Sequence, residues 1–395
     1  MPAATRVAFT LIGGKNWTGG QNYLINLLRI VAEQTPGQLT PVLFVGSDAA
    51  EADLAPFLAL PGCELVRSPG LDERHHSASL LRCLLLGRNA HFSALLAAHR
   101  IDVVFESAVF FGWRLGLPAI AWMPDLQHRL MPHHFTRFAW WKREIGFQAQ
   151  IRSGRTVMVS SEDSRAACLR FYPAAVGRVQ AVRFAVPATA SIDDATARAV
   201  ADRYGLPARY FFMPNQYWQH KNHLLVIEAL GLLRQRGQTV TVVAPGKQLD
   251  PRNAAHVPTV LAAVRAAGLE SQFLMPGMIP YADLMPLMQA SSALLNPSLL
   301  EGWSTTVEEA RSAGVPMLLS DLAVHREQAG AQACYFERES AASLADALQS
   351  FAPTSMSERQ ELRQAAQHDA QFRVARFATD FVALVSKARS RAMYT

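Results

Sequence analysis

Nowhere in these 395 residues is there a run of 18 apolar residues. The nearest approach, SLLRCLLLGRNAHFSALLAAHR (79–100), is broken by Arg82 and Arg88, so no helix is expected to span a membrane. Cysteine is scarce too. Cys63, Cys83, Cys168 and Cys334 are scattered without a C-x-x-C pair, which argues against a disulfide frame or zinc site and for reduced thiols in a cytosolic protein. The opening MPAATRVAFTLIGG lacks the apolar core and cleavage site of a signal peptide, again pointing to the cytoplasm. There is no G-x-G-x-x-G, and neither GKN (14–16) nor GKQ (246–248) continues into Ser or Thr, so neither lysine is of the Walker type. His75-His76 and His133-His134 lack ligand spacing to a third group, and no metal is expected. No repeat, low-complexity tract, heptad run or nucleic-acid-binding module is present.

What remains is a globular composition, half hydrophobic and 18% charged, and a length that suits two domains. The net charge of +6 is uneven: residues 1–185 hold 19 Lys and Arg against 13 Asp and Glu, while the remainder balances. A basic half suits an anionic partner such as phosphate or an acidic membrane surface, or is an ordinary soluble surface.

Short apolar runs alternate with helical patterns. RVAFTLIG (6–13), TPVLFVG (40–46), DVVFES (102–107), PAIAWMPD (118–125) and TVMVSS (156–161) read as strands, with a glycine-rich loop and a helix from Gln21 after the first. The pattern restarts with YFFMPN (210–215), a helix over 222–237 with Asn222 as N-cap, then TVTVVAPG (239–246), SQFLMPG (271–277), SALLNPS (292–298) and VPMLLSD (315–321). The seam lies near VPATASIDDATARAV (186–200), and the polar helix over 358–390 is expected on the surface. This is an α/β chain of two doubly wound sheets, whose chemistry belongs in loops at the carboxyl ends of strands.

One such loop stands out. In NPSLLEGWSTTVEEARSAGVP (296–316) a strand ends, Gly302 lets backbone approach a ligand, and a helix starts at Thr305 or Thr306. Its first amides and its dipole favour an anion. Glu301 and Glu309 flank that pocket. They are either helix-dipole acids or acceptors for hydroxyls on both sides of a ligand's phosphates, as in a nucleotide-sugar.

The E-x7-E spacing of Glu301 and Glu309 within PSLLEGWSTTVEEARSAGVPMLLSD resembles the retaining glycosyltransferases of family 4, which have the GT-B fold. GGQNYLINLL (19–28), WMPDLQHRLMPHHF (122–135), VSSEDSRAACLRFYP (159–173), VRFAVP (182–187) and MPNQYWQHKNHLLVIEAL (213–230) resemble further segments of that family in the right order. The resemblance implies two Rossmann-like domains facing a central cleft. An acceptor-side domain would span 1–187, a nucleotide-sugar domain 188–372, and a helix in 373–395 would cross back.

It also implies roles. Lys221 would meet the donor diphosphate, with Asn215 standing near where many members have an arginine. Gly19, Gly20, Gly302, Trp303, Ser304, Thr305 and Thr306 would line the donor, Glu309 would hold ribose hydroxyls and Glu301 would face the transferred sugar. Where the family carries His-Asp, this chain has Pro124-Asp125, so Asp125 and His128 become the catalytic candidates. The basic, aromatic stretch 128–155 suits an anionic membrane face or lipid acceptor. The absence of D-x-D leaves the metal-dependent route of other glycosyltransferases without its ligands.

The expected protein is a cytoplasmic, metal-independent hexosyltransferase-like enzyme, peripheral on the inner face of the membrane. It would move sugar from a nucleotide-diphospho-sugar to a glycan or glycolipid in cell-surface polysaccharide or glycolipid synthesis, with no further cofactor. A sugar-nucleotide 2-epimerase and a non-catalytic nucleotide-sugar-binding relative are the alternatives.

Overall fold

The structure, a computed structural model, describes residues 4–11, 18–75, 81, 83–107, 109–188 and 192–392. The loop after the first strand, with Lys15, and also His76 and Arg82, lie outside them. The chain divides into two compact units. The first comprises residues 1–132, 137–185 and 373–395; the second comprises 133–136 and 186–372.

The first unit is built on a seven-stranded parallel sheet in the order β3-β2-β1-β4-β5-β6-β7. Its strands are β1 (Thr5–Thr10), β2 (Leu39–Val45), β3 (Glu64–Arg67), β4 (Val103–Ser107), β5 (Ala119–Trp122), β6 (Thr156–Val159) and β7 (Val179–Ala181). The central strands are apolar on both faces because helices cover both, hence the unbroken burial of VVFES, AIAW and TVMV. Glu106 is the exception inside β4. Arg155 donates to it through Nε (3.2 Å) and Nη2 (3.0 Å), and Nη2 also reaches Gly112 O at 2.7 Å, tying down the loop after β4.

The second unit repeats the design with six parallel strands, ordered β10-β9-β8-β11-β12-β13. They are β8 (Phe211–Phe212), β9 (Val242–Val243), β10 (Phe273–Leu274), β11 (Ala293–Asn296), β12 (Met317–Ser320) and β13 (Ala333–Phe336). Chain order reverses between β8 and β11. In an open parallel sheet that reversal splays the loops leaving the two strands and opens a crevice at their carboxyl ends.

The strands not expected from sequence, β3, β7 and β13, are all sheet edges. Half-exposed edges carry polar residues, so ELVR and VQA show no apolar run. Two further expectations need correction. The first helix begins at Thr18 rather than Gln21, so Gly19 and Gly20 sit in its first turn. The last helix, Met356–Ala392, is not confined to the surface. Val374, Phe377, Phe381, Leu384 and Val385 are buried in the first unit, where the Phe381 ring lies 6.4 Å from Phe9 and 5.8 Å from Phe105.

Candidate functional site

Both loops leaving the β8/β11 reversal carry the expected donor-binding residues. After β8, a single 3-10 turn (Gln219–Lys221) precedes the helix His223–Gln235. Asn222 joins them in the left-handed conformation, φ 60°, which asparagine tolerates better than most residues. It stands at the N-cap position but its side chain caps nothing there; Nδ2 donates to Arg338 O at 3.0 Å.

After β11, Asn296 organises the loop. Its Nδ2 donates to Ser304 Oγ (2.9 Å), and its Oδ1 accepts from Ser298 N (3.2 Å). Ser298 Oγ lies 2.6 Å from Asn296 Oδ1 and 2.7 Å from Glu301 Oε1, sharing one proton between two acceptors. Ser320, at the end of β12, donates to Ser298 O (2.7 Å) and contacts the buried His325. Gln328 closes the frame by accepting from Ser304 N (3.2 Å) and donating to Ser304 O (2.8 Å). The helix Thr305–Ala313 therefore starts from a fixed point. The amides of Thr305, Thr306 and Val307 open it without intrahelical acceptors.

The two loops meet at an ion pair. Lys221 Nζ donates to Glu301 Oε1 at 2.5 Å, with the side chains only 16% and 9% exposed. Burial alone would push the Glu301 carboxyl upward. The Lys221 ammonium, His325 and the hydrogen bonds from Lys221 and Ser298 outweigh it and hold the group below its ordinary value. Glu309 is the opposite case. It has no hydrogen-bond or ion-pair partner among the described residues, and burial pushes its carboxyl up to about 7. Asn215 is buried beneath the loop after β9, where a side chain on Gly246 would strike Asn215 O, and its Nδ2 has no hydrogen-bond partner among the described residues. Gly302 and Ser304 are buried, while Trp303 and Thr306 are half-buried and Thr305 is exposed. The site thus offers a lysine, helix-start amides, a partnerless carboxyl and an orphan amide, which together suit an anion with hydroxyls beside it.

Asp125 and His128 lie in the first unit, and the structure separates their behaviour. Asp125 Oδ1 accepts from Gln127 N (2.8 Å) and from Arg143 Nη2 (2.6 Å). His128 is fully buried, 3.1 Å from both Glu144 Oε2 and Tyr172 Oη, and ringed by Trp140 and Phe147. Burial, assisted by Arg143, lowers it to about 4, leaving it neutral at pH 7. A ring so enclosed holds the fold of its motif through Glu144 and Tyr172.

Three of the six cations of 128–155 are likewise internal. Arg129, Arg143 and Arg155 pair with Glu144, Asp125 and Glu106. Arg137, Lys142 and Arg152 are exposed on the helix Arg137–Arg152, beside Phe138 (79% exposed), Trp141 (55%) and Ile145 (48%). Sequence reasoning overlooked Asn296, Ser298, Ser320, His325 and Gln328. Their only signal was polarity at the ends of β11 and β12 and in the short helix that follows.

Residues 204–369 match the family model described as glycosyl transferases group 1. No curated protein matches the sequence. Among solved structures, a glycosyltransferase from Rickettsia africae aligns with a TM-score of 0.70 at 12% identity, covering 98% of this chain and 99% of that one. HepE from Anabaena, solved in complex with UDP and glucose, gives 0.69 at 16% identity over 97% and 99%. WaaG, a glycosyltransferase involved in lipopolysaccharide biosynthesis, gives 0.60 at 16% identity over 98% of each chain. Two parallel-sheet Rossmann-like units of seven and six strands make this the GT-B fold. With the glycosyl transferases group 1 match over residues 204–369 of its second unit, the protein is a glycosyltransferase.

Proposed function

We propose that this is a retaining glycosyltransferase of family 4 that moves a sugar from a nucleotide-diphospho-sugar to a glycan or glycolipid acceptor in cell-surface polysaccharide or glycolipid synthesis. The observation that carries the reading is the Lys221–Glu301 pair at the β8/β11 reversal, with partnerless Glu309 one turn into the adjoining helix. The diphosphate would take Lys221 and the amides of Thr305 and Thr306, and Glu309 would accept from ribose hydroxyls. Glu301 would then face the sugar, where positive charge grows on the ring as its bond to phosphate breaks. The acceptor oxygen would bond to the anomeric carbon on the face the diphosphate leaves, and its proton would pass to the departing phosphate oxygen. Asp125 stands as a candidate on the acceptor side. HepE with UDP and glucose, and WaaG by its pathway, support the donor and acceptor classes by likeness.

The exposed Phe138, Trp141 and Ile145 among Arg137, Lys142 and Arg152 support a peripheral seat on an anionic inner membrane face. Donor binding would proceed without a divalent cation, since Lys221 and the helix start already oppose the diphosphate charge. The test incubates the protein with labelled UDP-sugars and membrane lipid extract, with EDTA or with Mn²⁺. Transfer that persists in EDTA and gives the donor's anomeric configuration by NMR supports the reading. Donor epimerised without acceptor, nucleotide bound without turnover, or activity lost with EDTA and restored by Mn²⁺ would each overturn its corresponding part.

A further inference from the structure

Among the described residues the Glu301 carboxylate has two hydrogen-bond donors, Lys221 Nζ at 2.5 Å and Ser298 Oγ at 2.7 Å, both on Oε1. On the donor-site reading above, the lysine must be shared. A nucleotide diphosphate carries more negative charge than one carboxylate and draws the Lys221 ammonium toward itself. Glu301, with its side chain 9% exposed, has little water to replace what it loses. His325, whose charge would favour the carboxylate, is kept neutral by burial and is engaged through Nδ1 with Ser320 O at 2.9 Å. Ser298 is the donor that remains.

Its surroundings leave that serine one freedom. Ser298 is fully buried and its backbone is fixed on both sides: N donates to Asn296 Oδ1 (3.2 Å) and O accepts from Ser320 Oγ (2.7 Å). Only the hydroxyl proton can turn. It lies between Asn296 Oδ1 at 2.6 Å and Glu301 Oε1 at 2.7 Å, and serves one of them at a time. Turning it to Glu301 costs little, because Asn296 Oδ1 keeps Ser298 N and a carboxylate is the stronger acceptor. Asn296 cannot follow the proton, since its Nδ2 is held by Ser304 Oγ at 2.9 Å, at the start of the helix that carries Glu309.

We propose that Ser298 is a positioning residue for sugar transfer: its hydroxyl, donating to Glu301 rather than to Asn296, holds that carboxylate in place when the donor diphosphate draws Lys221 away. This exchange rests on the donor-site reading. The lysine moves from carboxylate to phosphate and the serine hydroxyl turns to take its place, with no covalent bond broken and no proton transferred.

Calorimetry with UDP on the full chain tests it. At pH 8, Ser298→Ala should bind UDP about tenfold more weakly than the parent, because its complex leaves Glu301 without a donor. In a Glu301→Gln background no charge needs a partner, and the same change should alter UDP affinity less than about twofold. The dependence on pH separates this from a loss of shape. A carboxylate without a donor takes up a proton as pH falls, so the ratio of parent to Ser298→Ala affinity should shrink between pH 8 and pH 5.5. Protonation of UDP, His325 and Glu309 is common to both proteins and cancels in that ratio. Ser298→Cys, close in shape with a much weaker donor, should move in the same direction should the alanine variant fail to fold. Unchanged UDP affinity in the folded variants, equal weakening in the Glu301→Gln background, or a ratio constant with pH would overturn the proposal. A parent that does not bind UDP refutes the donor-site reading and the exchange together. UDP binding that tightens in Glu301→Gln but is unaltered in Ser298→Ala keeps that reading and overturns the exchange alone.

Discussion

Glu309 is a carboxyl held near neutrality by lack of company. Below about pH 4.5 it is protonated whether the chain is folded or not, and its burial carries no charge. Between about 4.5 and 7 the folded chain keeps a proton that the unfolded chain has released, so stability falls as pH rises through that window. Above it the penalty is complete, up to about 3 kcal/mol. Glu309→Gln should flatten this dependence in urea titrations at pH 5 and 8. Hydroxyls that donate to the carboxylate favour its charged form. UDP binding at pH 7 should therefore release a proton, visible as a calorimetric enthalpy that changes with buffer and no longer does so in Glu309→Gln. A buffer-independent enthalpy in the parent would contradict the ribose assignment.

The Lys221–Glu301 pair gives a prediction of opposite signs. Glu301 neutralises the lysine that the diphosphate needs, so Glu301→Gln should tighten UDP binding severalfold while lowering the single-turnover rate. Lys221→Ala should weaken UDP binding by about 1.5–3 kcal/mol, roughly 10- to 150-fold. If Glu301→Gln leaves both the rate and UDP affinity unchanged, the pair has only a structural role.

At the scale of elements, the closing helix is where sequence and structure part most instructively. Its inward residues, Val374, Phe377, Phe381, Leu384 and Ala388, recur at three- and four-residue spacing, so the buried stripe was legible in FRVARFATDFVALVSKA. The polar first half, MSERQELRQAAQHD, set the expectation for the whole. Phe381→Ala should destabilise the first unit by about 3–5 kcal/mol, read from chemical denaturation followed by probes within residues 1–185. A surface helix would lose less than about 0.5 kcal/mol.

The central strands and the Glu301 loop were readable because double-sided burial and turn chemistry are local properties. The polar frame of Asn296, Ser298, Ser320, His325 and Gln328 was not, since it joins residues that only the β11–β12 pairing brings together. The fate of His128 was hidden for the same reason: Glu144 and Tyr172 are distant in sequence.

At the scale of the molecule, charge is divided more sharply than the halves of the sequence suggested. The first unit holds 24 Lys and Arg against 14 Asp and Glu, a net +10; the second holds 14 against 18, a net −4. The unit expected to hold a doubly charged donor is itself anionic, so its attraction must be local, at Lys221 and the helix start. The cationic unit has longer reach. Changing Arg137, Lys142 and Arg152 together to Gln should weaken sedimentation with anionic vesicles by about 1 kcal/mol per charge and leave UDP binding unaltered. Parent protein that ignores such vesicles, or a variant that binds them equally well, would refute the membrane face.

The closing helix also sets the order in which the protein can be made. Its aromatic residues pack on Phe9, Phe105, Tyr23 and Phe184, all synthesised far earlier. Between Phe184 and Phe381 the ribosome must add roughly 200 residues, roughly 10–40 s at 5–20 residues per second. Throughout that interval the nascent first unit carries an uncovered apolar seam, while the second can finish folding on its own residues. The half of the chain that is translated first is thus the half completed last. A premature stop between residue 185 and Val374 leaves it waiting for a cover that never arrives, a client for chaperones rather than a smaller enzyme.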